Sequence, residues 1–409
     1  MVEILPFKGL RYSIKKIGSY SKVLAPPYDV IDENQKIILK NFSPYNIVHL
    51  TLPDDTDKKN RYESARDILS GWINEEILEP DRDESFYIFR ENFMEEGVKK
   101  SFAGFAALLK IEEYDEGKVL RHEKTLPKPK EDRLNILTAC RTNFEFIYTV
   151  FDDHDKKVTD IINATMQHIP DVASYVLYDK TLSFDLWTVK NKKDLEKITG
   201  LMKNKTVLIA DGHHRYETSR LYRESTEKPD LLKPENIKTA EDYIMCLFVP
   251  GIQKEISIHP THRLIKFAGE ITAAEILEKL SFCFAIKKIP DDENTIIRKM
   301  KEASFAGKKC ICIYFKDSSC YSVELALDLE SAYKQLNAAV DPFIGEFEYL
   351  DVNILHKLVL SELLKESKVE EIKFLHTIKE VREQLLNKSS AISFDAGFIL
   401  NSPAIETVH

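Results

Sequence analysis

The sequence lacks the marks of several protein classes. No apolar run approaches the roughly 20 residues that a membrane-spanning helix needs. The N-terminal segment has no positively charged region followed by an apolar stretch, so no signal peptide is expected. There is also no internal repeat, low-complexity segment or long linker. These absences predict a cytoplasmic protein that has no membrane partner.

The common nucleotide and metal fingerprints are missing as well. No G-x-G-x-x-G follows a strand, which disfavours a regular Rossmann fold, and no G-x-x-x-x-G-K-[ST] marks a P-loop. No H-E-x-x-H supplies a helical pair of zinc ligands. Any nucleotide or metal chemistry must therefore come from another pattern.

Positive charge is scarcer than negative charge, and cysteine is sparse. Lys and Arg number 58 against 67 Asp and Glu, a net charge of −9, so general nucleic-acid binding is not expected. The six cysteines suggest no disulfide scaffold. Cys310 and Cys312 alternate on one face of a predicted strand, and with Cys283 and Cys320 they match no strong zinc spacing. Core packing in a reducing compartment is favoured over a metal site.

The 409 residues predict two or three domains, with a boundary near residue 268. The part before it, 1–268, mixes strands and helices without a regular βαβ rhythm, and 269–409 is expected to be a supporting domain. "YNIVHLTLP" predicts a strand and "KNRYESARDILSGWINEEIL" a helix. "ESFYIFRENF" and "KSFAGFAALLKIEEY" predict a β-hairpin. The fold class is therefore predicted to be α+β, or mixed α/β.

The strongest polar pattern is the turn within "LIADGHHRYETSR". A short buried strand runs into Asp211-Gly212, and a helix follows. His213, His214 and Arg215 then lie at the helix N-terminus, where free N–H groups and the helix dipole favour an anion. The arginine adds a planar fork that matches phosphate or carboxylate. An ordinary capped helix with surface histidines is the alternative interpretation.

Two further polar clusters lie earlier in the chain. In "LAPPYDVID" the two prolines stiffen the backbone that carries Tyr28 and Asp29, although a rigid connector would have the same pattern. "RHEKTLPKPKEDRLNIL" mixes an acid, an imidazole, a hydroxyl and several cations in a proline-stiffened loop, whereas a solvated charge run is the alternative. Its candidate functional residues are His122, Glu123, Thr125, Lys128 and Arg133.

A fourth cluster, "HPTHRLI", repeats the His-Arg pair at His262 and Arg263. Each of the four clusters is a stiff or helix-capping segment rich in groups that suit phosphate. Because one ligand would explain all four, we expect them to converge in one cleft.

Seven short strings occur along the chain in this order: "PFKGLRY", "APPYDVID", "SPYNIVHL", "RHEKT", "DRLNIL", "ADGHHRYET" and "THRLI". Together they resemble a family of uncharacterised bacterial and archaeal proteins, domain of unknown function 1015. The resemblance covers nearly the whole chain. Members of that family usually continue past "FDAGFILNSP", whereas this chain ends in "AIETVH", so the C-terminal domain is expected to be truncated.

The Asp-Gly-His-His-Arg turn also resembles, locally, that of ParB/sulfiredoxin-like proteins, which include free-serine kinases and CTP-binding partition proteins. In those proteins the strand, turn and helix surround the phosphates of a nucleotide. The resemblance implies a ParB/sulfiredoxin-like nucleotide-binding core with an additional C-terminal α+β domain. It also implies that Asp211, His213, His214 and Arg215 face phosphate and metal.

The leading hypothesis is a phosphotransferase that uses ATP or ADP with Mg²⁺ and acts on a small hydroxyl metabolite, with free L-serine as the first candidate. Phosphoryl transfer needs positioning and charge neutralisation more than covalent chemistry. The predicted catalytic residues are Asp211, which is also the predicted metal ligand, His213, Glu123 and Asp29. The predicted phosphate or nucleotide ligands are Gly212, His214, Arg215, Lys128, Arg133, His262 and Arg263. The predicted substrate-positioning residues are Tyr28, His122 and Thr125.

Two other functions stay open. A non-catalytic nucleotide-binding regulatory module would use the same turn to switch assembly or partner contacts. A metal-dependent hydrolase would use His122, His213, His214, His259 and His262, although no i, i+4 ligand pair supports it. The acceptor, the nucleotide and the oligomeric state do not follow from the sequence.

Overall fold

The computed structural model describes residues 2–56, 58–95, 97–113, 118–121, 127–226, 239–251, 253, 262–336, 351–375, 377–387 and 392–401. The chain divides into two compact units, Met1–Ile256 and Ser257–His409. This division precedes the segment that carries His262 and Arg263, which therefore belongs to the second unit.

The described part of the first unit contains eleven β-strands and eight α-helices. The strands are β1 (Ile4–Leu5), β2 (Leu10–Tyr12), β3 (Leu78–Pro80), β4 (Phe86–Glu95), β5 (Val98–Lys110), β6 (Val119–Leu120), β7 (Ile147–Phe151), β8 (Val172–Tyr175), β9 (Ser183–Val189), β10 (Val207–Asp211) and β11 (Tyr243–Pro250). The helices are α1 (Ile14–Ile17), α2 (Glu33–Phe42), α3 (Val48–Thr51), α4 (Arg61–Asn74), α5 (Pro127–Cys140), α6 (Lys157–Thr165), α7 (Lys192–Met202) and α8 (His213–Thr226).

Nine of these strands form one mixed sheet in the order β6-β10-β7-β11-β5-β4-β9-β8, with β1 pairing beside β5. The predicted hairpin is confirmed: β4 and β5 pair antiparallel from Tyr87 opposite Ala106 to Glu95 opposite Val98. The pairs β11·β7 and β10·β6 are parallel, whereas β10·β7 and β11·β5 are antiparallel. The sheet thus places β10, which leads into the candidate turn, beside β7, and β7 beside β11.

The two faces of this sheet differ in how deeply they are buried. One face packs Phe86, Phe105 and Phe248 against α6, α7 and α8 in the main core of the unit. The opposite face has a smaller buried cluster, bordered by aromatic side chains such as Phe102 and Tyr148 that are only half-buried. This second face is therefore only partly covered by the described residues.

One predicted strand is wrong: "YNIVHLTLP" contains helix α3. The side chain of Asn46 decides the local structure, because its Oδ1 accepts from the Val48 N–H at 3.0 Å and its Nδ2 donates to the carbonyls of Lys22 and Leu24 at 2.8 and 3.0 Å. An asparagine that bonds the backbone in this way competes with strand pairing. The apolar alternation that suggested a strand instead places Val48 and Leu50 in the core.

The described part of the second unit is a six-stranded sheet with helices. Its strands are β12 (His262–Phe267), β13 (Phe284–Ile289), β14 (Cys310–Phe315), β15 (Cys320–Leu325), β16 (Val369–Leu375) and β17 (Ala396–Ile399). Its α-helices are α9 (Ala273–Leu280), α10 (Glu293–Phe305), α11 (Leu329–Gln335), α12 (Asp351–Asn353) and α13 (Ile378–Leu386), and a π-helix spans Ile354–Leu363. The order is β13-β15-β14-β17-β12-β16, and every pairing is antiparallel.

The predicted fold class is confirmed. The first unit combines a mixed parallel and antiparallel sheet with helices, and the second combines an antiparallel sheet with helices. The chain is therefore a mixed α/β protein.

Cys310 and Cys312 lie on the central strand β14 and are 2 % and 0 % exposed. All six cysteines are free and buried, as core packing predicts. We expect Cys310→Ala with Cys312→Ala to lower the free energy of unfolding by about 1 kcal/mol per site, because each change deletes buried atoms. Thermal denaturation followed by circular dichroism measures this loss. Metal analysis of the purified protein is the control: a metal that is present in the unsubstituted chain and lost from the variant would contradict a packing role.

Candidate functional site

A β-bulge and a glycine set the geometry of the turn after β10. The register of β10 against β7 shifts between Ile209, which pairs with Thr149, and Asp211, which pairs with Tyr148. A bulge of this kind bends a strand and redirects the side chains that follow. Asp211 ends the strand with its side chain 58 % exposed, so its carboxylate is accessible to solvent.

Gly212 is required by the turn. Its φ of +92° lies in the left-handed region, and a Cβ there would stand 2.9 Å from Cγ2 of Ile147. Its carbonyl accepts the first helical hydrogen bond of α8, from the Tyr216 N–H at 3.0 Å. The strand therefore passes into the helix through a position that favours glycine.

Tyr216 anchors the first turn of α8. Its ring is fully buried, its hydroxyl donates to the Glu112 carbonyl at 2.8 Å, and it accepts from the Glu112 N–H at 3.0 Å. Both bonds join the helix to Glu112, which lies just after the end of β5, so the helix N-terminus is held in place.

Arg215 lies at the centre of the charged groups around the turn. Its Nη2 is 2.6 Å from Oδ2 of Asp211, its Nη1 is 3.4 Å from Oε2 of Glu145, and Nη1 also donates to the Phe146 carbonyl. The side chain is only 13 % exposed. Its fork is therefore bound by groups of the protein on two sides.

Two other predicted clusters meet at the same carboxylate. Oε1 of Glu145 accepts from the Tyr28 N–H at 3.2 Å, and the Arg133 guanidinium lies 4.0 Å from the centroid of the Tyr28 ring. Arg133 is held in turn by the Thr51 carbonyl at 3.0 Å and by Asp132, whose Oδ2 is 2.5 Å from its Nη2. A cation over an aromatic face is attracted by the ring quadrupole.

The charged groups around the turn shift one another's pKa values. Burial raises the pKa of Glu145, whereas the neighbouring Arg215 acts to lower it. Burial acts to lower the pKa of Arg215, but Asp211, Glu145 and Asp29 outweigh that effect, so its pKa is raised. Burial and the charge of Asp29 raise the pKa of Tyr28. The side chains of Tyr28, Glu145 and Arg215 therefore lie within electrostatic range of one another and of Asp29.

The structure thus brings together residues from three of the four predicted clusters. Tyr28 and Asp29 come from the proline-stiffened segment, Arg133 from α5, and Asp211 and Arg215 from the turn. Sequence reasoning missed Glu145, which joins them. Its only local signal is a lone carboxylate inside the aromatic string "NFEFIY", just before β7.

The histidines of the turn differ in exposure. His213 is buried at the start of α8 and His214 is half-buried. In the second unit, His262 accepts from the Leu400 N–H at 3.3 Å through Nδ1. Arg263 is fully buried, with its guanidinium 4.4 Å from the Phe374 ring centroid and its Nε 3.4 Å from Nε2 of His356. A phosphate-binding role for His262 and Arg263 stays a prediction.

Part of the third cluster lies outside the described residues. This applies to His122, Glu123, Thr125 and the side chain of Lys128, and also to His259 of the alternative metal hypothesis. Their predicted roles stay predictions.

Among the residues that the structure describes, no three His, Cys, Asp or Glu side chains form a group able to hold a metal ion. No described helix is both long enough and apolar enough to cross a membrane.

Residues 4–352 match the family described as Protein of unknown function (DUF1015). The chain belongs to this family. The match includes the whole turn at 211–215 together with Tyr28, Arg133 and Glu145, so the site lies within the family region. Among curated proteins none matches the chain.

Solved structures with some similarity include a conserved hypothetical protein from Pyrococcus furiosus, with 12 % identity and a TM-score of 0.34, covering 71 % of this chain and 80 % of that one. Mutant free serine kinases in complex with AMP and with ADP each have 14 % identity and a TM-score of 0.34, covering 71 % of this chain and 77 % of theirs. Similarities at these TM-scores and identities carry no information about the function of this chain.

Proposed function

We propose that the first unit binds the phosphates of ATP or ADP at the turn after β10 and transfers a phosphoryl group to a small hydroxyl metabolite, with free L-serine as the first candidate. One observation carries the proposal: Tyr28, Arg133, Glu145 and Arg215, from separate parts of the chain, meet at the N-terminus of α8. Phosphoryl transfer depends on such positioning and on neutralising charge.

The turn offers what a phosphate needs. The positive end of the helix dipole lies at the N-terminus of α8 and favours an anion there. Gly212 permits the positive φ with which the chain turns from β10 into α8. Arg215 and Arg133 bring two guanidinium groups, which would bind phosphate oxygens after rearranging part of their present pairing with Asp211 and Asp132.

The carboxylates fit a role for Mg²⁺. This ion usually keeps several waters and binds one or two carboxylates together with substrate phosphates, so a dedicated three-residue cluster is not required. Asp211 is accessible, and Asp29 is close enough to interact with Arg215. We assign the ion to Asp211, where it would neutralise phosphate charge. The acceptor hydroxyl would lose its proton to Glu123 or His213, with Tyr28, His122 and Thr125 positioning the substrate.

Arg215→Lys is expected to weaken nucleotide binding about tenfold or more, since lysine keeps the charge but cannot make the bidentate pair of hydrogen bonds that a guanidinium group makes with phosphate. Isothermal titration with ATP, ADP and AMP, with and without Mg²⁺, measures the change. Arg298→Lys is the control, because Arg298 lies on the surface of the second unit. Equal affinity in a well-folded Arg215→Lys protein would remove the turn from the nucleotide site.

Asp211→Asn is expected to affect mainly the magnesium-dependent part of binding, because the amide keeps the shape but loses the charge. Nucleotide affinity without Mg²⁺ should change little, while the gain on adding Mg²⁺ should disappear. An equal loss of affinity with and without Mg²⁺ would contradict the assignment of the ion to Asp211.

Product formation separates the catalytic proposal from a regulatory one. The protein is incubated with nucleotide, Mg²⁺ and L-serine or other small alcohols, and phosphorylated product is detected by mass spectrometry. The proposal expects product far in excess of enzyme. Nucleotide binding without product from any acceptor would favour the regulatory module.

A further inference from the structure

Glu91 is a carboxylate on the half-buried face of the large sheet. It lies on the central strand β4, opposite Phe102 of β5 and opposite Phe184 of β9. Directly opposed residues of neighbouring strands project to the same face, with Cβ atoms about 5 Å apart. The carboxylate is therefore flanked by an aromatic ring on each side.

The aromatic surroundings extend beyond these two rings. Phe89 lies 5.3 Å from Phe184 between ring centroids, and Tyr148 lies 6.3 Å from Phe102. The hydroxyl of Tyr178 interacts electrostatically with Glu91. All of these rings are half-buried.

This aromatic group adjoins the turn after β10. Tyr148 pairs directly with Asp211, and its hydroxyl interacts electrostatically with Glu91 on one side and with Asp211 and Arg215 on the other. Only the side chain of Tyr148 would therefore separate a ligand group beside Glu91 from Asp211 and Arg215.

Glu91 makes no hydrogen bond or ion pair with any residue that the structure describes. Arg90, its neighbour on the opposite face, is paired with Asp185 at 2.7 Å, so the two faces of β4 differ in this respect. Burial raises the pKa of Glu91 to about 7. A half-buried carboxylate without a partner is costly, and a bound cation would offset that cost.

We infer that Glu91 and the rings of Phe102, Phe184 and Tyr148 bind the ammonium group of a small molecule. Aromatic faces attract cations through their quadrupoles, most strongly where water is excluded, and the carboxylate supplies the opposite charge. An apolar ligand would use the rings but not the carboxylate, and an anion would be repelled by it. The identity of this compound rests on the proposed function: it is the phosphoryl acceptor, a hydroxyl metabolite that also carries an amine.

The test compares charged and neutral probes of one shape. Choline and its neutral analogue 3,3-dimethylbutan-1-ol are titrated at pH 8 and followed by ligand-observed NMR, with ethanolamine as a primary amine. Choline or ethanolamine should bind saturably and the neutral analogue about tenfold more weakly. The inference would be overturned if neither choline nor ethanolamine bound saturably, or if the neutral analogue bound as tightly as choline.

The pH dependence supplies a second readout. Glu91 is charged above its pKa of about 7 and neutral below it, so amine affinity should fall as the pH drops from 8 to 6. The other titratable groups near it are the hydroxyls of Tyr148 and Tyr178, whose pKa values burial raises further above this range, and Lys100, two residues from Phe102 on the same face. An amine affinity that is flat between pH 8 and 6 would contradict the role of Glu91.

Glu91→Gln keeps the shape and removes the charge, so amine affinity should fall about tenfold and its pH dependence should vanish. Glu84→Gln, a surface change just before β4, is the control. Phe102→Leu tests the aromatic contribution separately. Nucleotide affinity separates the tests of the two proposals. It should be unchanged in Glu91→Gln. A loss of nucleotide affinity that occurs only in Arg215→Lys would bear on the proposed function and not on the ammonium site. Unchanged amine binding in Glu91→Gln would overturn the inference.

Discussion

Arg215→Ala should lower the free energy of unfolding by about 3 kcal/mol at pH 8, because it leaves the carboxylate of Glu145 buried without its cation. The loss should be smaller at pH 5. Removing Arg215 raises the pKa of Glu145 further, so in acid the folded variant binds a proton there and avoids a buried charge. Denaturation followed by tryptophan fluorescence measures this, since both tryptophans, Trp72 and Trp187, lie in the first unit.

The double variant Arg215→Ala/Glu145→Gln isolates the ion pair. It should recover part of the lost stability, because glutamine keeps the acceptor for the Tyr28 N–H but carries no charge. Arg66→Ala, which removes an exposed pair in α4 of the same unit, is the matched control and should change stability by less than about 1 kcal/mol. Strictly additive losses in the single and double variants would show that Arg215 and Glu145 are not coupled.

Gly212→Ala should cost about 2 kcal/mol or more, since alanine is strained at a φ of +92° and its Cβ would meet Cγ2 of Ile147 at 2.9 Å. Ile147 is fully buried in β7 and cannot retreat easily. The turn should shift to relieve the contact, so under the proposed function nucleotide affinity should fall together with stability. Tryptophan fluorescence and nucleotide titration on the same preparation measure both effects.

Gly200→Ala is the matched control. Gly200 lies in α7, where an added Cβ meets nothing within 4 Å, so the change should stabilise the protein by up to about 1 kcal/mol. If Gly212→Ala were as harmless as Gly200→Ala, the turn would be tolerant of a side chain and its geometry would not depend on glycine.

Stability and ligand binding are expected to be linked at this site. Arg215 neutralises two carboxylates of the protein, and the same fork is the proposed phosphate ligand. Arg215→Lys should therefore lose some stability as well as affinity. The nucleotide titration has to be made well below the melting temperature of the variant, where the folded population is complete.

The sequence by itself determined the features that depend on neighbouring residues. The strand, turn and helix around Asp211-Gly212 follow from an apolar run, a turn dipeptide and a helical pattern that are contiguous in the chain. The β4·β5 hairpin follows from two strand patterns and a short turn. The family follows from short strings spread along the chain, which can be read without knowing their contacts.

Tertiary structure alone decided which distant residues meet. Glu145 is an inconspicuous acid until β7 places it between Tyr28 and Arg215, 117 and 70 positions away along the chain. Glu91 became notable only when strand pairing put an aromatic ring on each side of it. The predicted strand at 45–53 failed for the same reason, because Asn46 bonds backbone groups more than twenty residues away. Local periodicity and turn chemistry depend on adjacent residues, whereas burial, charge pairing and pKa depend on neighbours that only the folded chain brings together.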